Sequence, residues 1–126
     1  MPNYKILSSA AAILALSLSV LLAFTPQFIF WLFSVTGNDA SYFISRRAAI
    51  MFLGVSILAW FGRNSRDTQL RRAVCLGMGV MMSGLAVLGI GEFIRGYVGP
   101  GIFLAVTAEI MFGVSYLYLW KSTSKL

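Results

Sequence analysis

The sequence contains no histidine, and Cys75 is its only cysteine. Zinc, haem-histidine and iron–sulfur sites depend on these two residue types, so the sequence excludes them. A Ser-His-Asp triad, a Cys-His pair and an internal disulfide are excluded for the same reason. We therefore predict no metal, no cofactor, no catalytic residue and a non-enzymatic function.

Charged residues are also scarce. They make up 11% of the 126 residues, whereas hydrophobic residues make up 59%. Typical soluble domains are about 25% charged and about 45–50% apolar. A soluble protein of this size has too little interior to bury so much apolar surface, but a bilayer covers it. The composition therefore predicts a membrane protein.

Four long apolar runs divide the chain. They predict membrane spans at about residues 6–24, 42–61, 73–94 and 101–120, since a helix of about 20 residues crosses the roughly 30 Å hydrocarbon core. No small-residue cleavage site follows the first run, so we interpret it as a helix and not as a signal peptide. The predicted fold class is all-α: an integral membrane four-helix bundle forming a single transmembrane domain over residues 1–126.

A short aromatic segment follows the first predicted span. Thr25-Pro26 ends or kinks that helix, and the sequence PQFIFWLFSV comes next. This segment is too short to span, and aromatic rings favour the interface between lipid and water. We predict an interfacial or re-entrant segment. It is either an aromatic anchor or a flap over a lipid-soluble ligand.

Small residues recur at regular spacing in two of the spans, which is typical of closely packed membrane helices. These residues are Ser8, Ala12, Ala15 and Ser19 in the first span, and Gly77, Gly84 and Gly91 in the third. A generally alanine-rich composition explains the first set equally well. Gly79 and Ser83 form a second small pair on another face of the third span.

The basic residues are concentrated on one side of the predicted bundle. With four spans, the N-terminus, the middle loop and the C-terminus share that side. It holds Lys5, Arg63, Arg66, Arg71, Arg72, Lys121 and Lys125, against Asp67 alone. Basic residues favour the cytoplasm, so both termini are predicted to be cytoplasmic.

This charge distribution also predicts the partners of the basic side. It favours binding of membrane lipids with anionic headgroups. The basic residues are split between short loops and tails, so we predict no nucleic-acid binding. The aromatic residues Tyr116, Tyr118 and Trp120, at the end of the last span, are interpreted as an interfacial belt on this side.

The opposite half of the bundle carries a second group of charged residues. These are Arg46, Arg47, Glu92, Arg95 and Glu109. Ionisable groups within membranes are rare, and they usually face the bundle interior and pair with one another. We predict that Arg47 or Arg46 pairs with Glu109. Glu92 would pair with Arg95 or with the remaining arginine.

Three interpretations of this charged group remain open. It is a structural ion-pair network, a site for a polar headgroup or anionic ligand, or a proton or cation pathway through Glu109. The leading prediction is an accessory or lipid- or small-ligand-binding membrane protein. The alternative is a small proton-coupled transporter or channel, and because four helices line only a narrow path, that function favours a homo-oligomer.

The layout resembles small bacterial inner-membrane proteins of the DoxX-like type. The resemblance is carried by Thr25-Pro26, Ser45-Arg46-Arg47, the basic loop at residues 63–72 and the glycines of the third span. It implies four short spans, and for some relatives a link to redox systems that use quinone. A third alternative is therefore a membrane subunit of a quinone-linked redox complex, with a lipid-soluble quinone as its small-molecule partner.

Overall fold

A computed structural model describes residues 3–123 of the chain. Within these residues the chain forms helices and short connections, with no strand. The helices are α1 (Tyr4–Phe24), α2 (Pro26–Phe33), α3 (Asp39–Gly62), α4 (Thr68–Ile94) and α5 (Ile102–Thr123).

The four long helices α1, α3, α4 and α5 are long and apolar enough to cross a membrane. Only 22–33% of the residues in the apolar window of each helix are buried inside the bundle. Most of their side chains therefore face outward, and only lipid can cover such a surface without a large free-energy cost. The chain is a multi-pass membrane protein, and the predicted all-α class is confirmed.

Two spans begin earlier than their apolar runs because polar residues cap them. The Asn38 side chain accepts a hydrogen bond from the backbone N–H of Ser41 at the start of α3. The Asp67 side chain accepts from the N–H groups of Gln69 and Leu70 at the start of α4. Side chains of this kind satisfy the free N–H groups of a first helical turn. The first turns of α3 and α4 are thus polar.

The long helices form a ring in the order α1, α3, α4, α5, with two extensive contacts and two slight ones. We call α1 and α3 the first helix pair, and α4 and α5 the second helix pair. Within each pair the helices pack along most of their length, whereas α1 touches α5, and α3 touches α4, only briefly. The fold is therefore two helix pairs set side by side.

Serine hydroxyls and alanines join the first helix pair. Ser19 Oγ donates to the carbonyl of Ala49 at 2.7 Å, and Ser56 Oγ donates to the carbonyl of Ala12 at 2.7 Å. The predicted small face of α1 is buried along its whole length, including Ala15. Its prediction as a packing face is confirmed, since small side chains let the two backbones come close.

The second helix pair is joined at the second small pair, Gly79 and Ser83, and not at the predicted glycine stripe. A Cβ on Gly79 would lie 2.6 Å from Leu117 Cδ2, and one on Gly113 would lie 2.8 Å from Ser83 Oγ. No atom lies within 4 Å of the position a Cβ would take on any of the three glycines of the predicted stripe: Gly77, Gly84 and Gly91. That prediction was wrong for packing within the chain, because seven-residue spacing identifies a shared face but not the face that meets α5.

The two pairs are tied together at both ends. At the end that carries residues 62–68, which we call the basic end, the hydroxyl groups of Ser8 on α1 and Tyr116 on α5 share a hydrogen bond of 3.0 Å. At the opposite end, the far end, Gly99 N–H donates to the carbonyl of Phe33 at 2.8 Å. Helix α2 is thereby held against the turn between α4 and α5. Lys121 lies at the basic end on α5, whereas Lys125 lies outside the described residues.

Candidate functional site

The predicted ion pair between Glu92 and Arg95 is present. Arg95 Nη1 lies 3.8 Å from Glu92 Oε1, one turn apart at the end of α4. The Arg95 side chain is 68% exposed, and ion pairs that are open to solvent contribute little stability. This pair therefore does not by itself form a buried site.

Arg46 and Arg47 both lie exposed in the early turns of α3. The guanidinium carbon of Arg47 is 5.9 Å from the ring centre of Phe43, which precedes it by one turn toward the far end. Arg46 lines a small, partly polar cavity of about 430 Å³ with Gln27, Asp39 and other residues of the far end. Both arginines thus reach toward the membrane edge, as long basic side chains near helix ends commonly do.

Glu109 lies on the inward side of α5, between the buried residues Val106 and Gly113. Its Oε2 atom is buried and has no hydrogen-bond partner, and among residues 3–123 Glu109 forms no ion pair. An ionised carboxylate without a partner is costly at this depth. No basic side chain among the described residues supplies it with a counter-charge.

The helix register explains why Arg47 does not reach Glu109. Ser8 meets Tyr116 and Ser19 meets Ala49, so these contacts place Glu109 and Arg47 at different depths. Along the bundle axis the two residues are separated by about six residues of helical rise, roughly 9 Å. In addition, α3 and α5 lie diagonally across the ring and scarcely touch. The five predicted residues are therefore not brought together as one cluster.

A buried polar cluster at the basic end was not expected from the sequence. The hydroxyl groups of Ser8 and Tyr116 share a hydrogen bond of 3.0 Å, and both residues are fully buried. Cys75 is buried as a free thiol in the same core, next to Tyr4. The interpretation of Tyr116 as part of an interfacial belt was wrong, because it follows Gly113 by one turn on the buried face of α5. The cluster ties α1, α4 and α5 together.

An apolar groove lies between α3 and α4. Its volume is about 620 Å³, and it is open to the lipid side. Its walls are Val55, Ile57, Leu58, Ala59, Phe61 and Gly62 on α3, and Leu70, Ala73, Val74, Gly77, Met78 and Met81 on α4. The groove exists because α3 and α4 hardly touch, and the lack of a side chain at Gly77 leaves it wide. We call it the α3–α4 groove.

Arginines follow the residues at the basic end of this groove in the chain, since Arg63 comes directly after Gly62 and Arg71 directly after Leu70. Residues 63–72 contain four arginines and one acid, Asp67, whose side chain caps α4. The guanidinium carbon of Arg63 stacks 3.6 Å from the ring centre of Trp60, and that of Arg71 lies 4.5 Å from the ring centre of Tyr4. The Nε atoms of Arg71 and Arg72 are buried and make no hydrogen bond. With four arginines against one acid, the loop next to the groove is positively charged.

The arrangement combines an apolar groove with a basic loop next to it. In the part of the chain from residue 3 to residue 123, no three metal-ligating side chains come together. The α3–α4 groove, with apolar walls beside this basic loop, suits a molecule with a long apolar part and an anionic end. The basic loop could be recognised from the sequence. The gap between α3 and α4 could not, because no residue pattern indicates it.

Comparison with protein-family models, curated proteins and solved structures gives no match for this chain. The resemblance to DoxX-like proteins therefore stays a prediction.

Proposed function

We propose that this membrane protein is a non-enzymatic accessory protein that binds a lipophilic molecule in the α3–α4 groove. The observation that carries the proposal is the groove itself, an apolar cavity of about 620 Å³ that opens directly toward the bilayer. Cavities of roughly 300–1,000 Å³ with mainly apolar walls are typical of small-molecule sites.

The membrane setting supports this proposal. In lipid, no hydrophobic driving force pushes two apolar helix faces together, because acyl chains solvate them equally well. A gap between α3 and α4 is therefore stable when an apolar molecule fills it. The chain is also poor in the residue pairs that nucleophilic or acid–base catalysis needs, which favours binding over chemistry.

The test compares two glycines of the same helix. Gly77 and Gly84 both have open space where a Cβ would lie, but only Gly77 lines the groove. Gly77→Ile should fill the groove, whereas Gly84→Ile serves as the matched control. The measurement is the amount of each lipophilic molecule that solvent releases from the purified protein, determined by mass spectrometry per mole of chain.

We expect the wild type and Gly84→Ile to release about one retained lipophile per chain, and Gly77→Ile to release several-fold less. Equal amounts from all three proteins would contradict the proposal. A quinone among the released molecules would support the alternative of a quinone-linked redox subunit within a larger membrane complex.

A second candidate function is proton-coupled transport through Glu109. It is favoured by the buried, unpartnered Oε2 atom of Glu109 on the inward side of α5. Proton flux into liposomes that contain a pH-sensitive dye tests it. Flux that vanishes in Glu109→Gln and persists in Glu92→Gln would support transport, whereas the absence of flux in the wild type would contradict it.

The location and orientation that accompany the proposal are a bacterial inner membrane, with both termini in the cytoplasm. The basic residues around residues 63–72 support this orientation. A reporter domain inserted between Asn64 and Ser65 is expected to be active only as a cytoplasmic fusion. Activity of a periplasm-specific reporter at this position would reverse the orientation.

A further inference from the structure

We propose that the α3–α4 groove selects an anionic phospholipid: one acyl chain lies in the groove, and arginines at its mouth bind the phosphate-bearing headgroup. This inference rests on the proposed function and adds the chemical class of the ligand. It concerns the leaflet that meets the basic end of the bundle.

The length of the groove fits one leaflet. Its wall on α4 runs from Leu70 to Met81, a rise of about 16 Å. Half of a hydrocarbon core about 30 Å thick is about 15 Å. The groove begins at Gly62 and Leu70, beside the hydrophilic loop, and ends at Met81, in the middle of α4. An acyl chain that enters from the headgroup layer at the basic end therefore fills the groove without crossing the midplane.

The loop next to the groove carries four arginines and only one acidic residue. Arg63, Arg66, Arg71 and Arg72 face a single nearby acid, Asp67. Its carboxylate already accepts hydrogen bonds from two backbone N–H groups at the start of α4. These arginines consequently keep most of their charge available for an anion outside the protein. Each basic residue near an anionic lipid surface contributes about 1 kcal/mol of attraction.

Arg71 is held where a headgroup would lie. Its guanidinium carbon is 4.5 Å from the ring centre of Tyr4, and Tyr4 Oη donates to the carbonyl of Gly62 on the groove wall. This chain of contacts fixes the guanidinium close to the groove mouth. Its Nε atom is buried, but the side chain as a whole is partly exposed. Guanidinium groups match phosphate geometry well.

The far end of the bundle lacks this combination. The cavity beside Arg46 also contains Asp39, and Arg95 already pairs with Glu92. Opposite charges thus offset each other there, and the cavity is partly polar and not an apolar groove. We therefore expect the preference for an anionic headgroup to arise at the basic end alone.

The experiment is native mass spectrometry of the delipidated full-length protein. Dioleoylphosphatidylglycerol and dioleoylphosphatidylethanolamine, which share acyl chains and differ in headgroup charge, are added in competition. The wild type should retain the anionic lipid preferentially. Arg63→Gln and Arg71→Gln should each lower this preference about fivefold, and Arg71→Lys should lower it less because the charge remains. Arg47→Gln, at the far end, is the matched control.

The outcomes separate the two proposals. Equal retention of both lipids by the wild type, or an unchanged preference in Arg63→Gln and Arg71→Gln, overturns the anionic selectivity and leaves the groove as an apolar site. Loss of preference with retained total binding supports the inference. Unchanged retention by Gly77→Ile overturns the groove as a binding site, and the inference with it. If Arg71→Gln fails to fold, Arg63→Gln and Arg66→Gln decide the question.

Discussion

The first helix pair is joined by hydroxyl-to-carbonyl hydrogen bonds from Ser19 and Ser56, whereas the second helix pair meets through glycines that leave no room for a side chain. The serine contacts of the first pair are hydrogen bonds, whereas the glycine contacts of the second pair are close van der Waals packing. The hydrogen bonds are directional and weak, averaging about 0.6 kcal/mol in a membrane protein. The glycine contacts depend on shape, so any added volume pushes the helices apart. The second pair should thus be more sensitive to substitution than the first.

The largest effect is expected from adding volume at Gly113. A Cβ there lies 2.8 Å from Ser83 Oγ and 3.2 Å from the backbone nitrogen of Ser83, and backbone cannot rotate away. Gly113→Val should lower the free energy of unfolding by about 3 kcal/mol, measured by titration of mixed micelles with dodecyl sulfate and followed by circular dichroism. Gly84→Val, where the space is open, should change it little. An equal loss in both variants would show that crowding against Ser83 is not the cause of the loss at Gly113.

A smaller effect is expected at the contact between the two helix pairs. Tyr116→Phe removes the buried bond with Ser8 and leaves that hydroxyl without its partner. The expected loss is about 1.5 kcal/mol in the same titration. Tyr97→Phe is the control, since Tyr97 is exposed in the turn before α5. A loss no larger than that of the control would show that the basic end is not held by this bond.

The hydrogen bonds of the first helix pair should matter less. Ser19→Ala and Ser56→Ala are each expected to lower the free energy of unfolding by about 0.6 kcal/mol, since each removes one donor from a carbonyl that also accepts within its own helix. Ser17→Ala provides the comparison, because Ser17 donates only to Ile13 of its own helix. Losses above about 2 kcal/mol would mean that serine bonding, and not shape, dominates the first pair.

The smallest effect is expected at Glu109. Removing one partner of a buried ion pair costs about 3–5 kcal/mol. Because Glu109 has no ion-pair partner among residues 3–123, Glu109→Gln should leave the melting temperature in detergent unchanged. A loss of several kcal/mol would restore the predicted pair with Arg47. Arg47→Gln should likewise be neutral, since its contact is with the ring of Phe43.

The spans could be predicted from the sequence because hydropathy depends only on local composition. The small face of α1 was also predictable, since its residues recur with the helical period and its neighbour has matching small residues such as Ala49 and Ser56. The predicted first residues of α3 and α4 lie several residues after the observed ones. The reason is that the capping residues, Asn38 and Asp67, lie outside the apolar runs from which the spans were predicted.

The candidate site could not be predicted, because a helical period identifies faces but not neighbours. Arg47 and Glu109 were predicted to pair, yet they lie on diagonal helices at different depths. The glycine at position 77 was read as a packing residue, and it instead widens a groove. A gap between two helices is a property of the whole ring, so no single segment encodes it.

The pairing of the first two long helices with each other, and of the last two with each other, has a consequence for biogenesis. Because α1 packs on α3 and α4 packs on α5, the first pair is complete before the last span has been synthesised. The bond between Ser8 and Tyr116, 108 residues apart, is then among the last contacts to form. Cysteine cross-linking of Ala12→Cys with Ser56→Cys in chains stalled on the ribosome before residue 102 should already succeed. The first helix pair would thus be folded in the membrane before α4 and α5 pack against it.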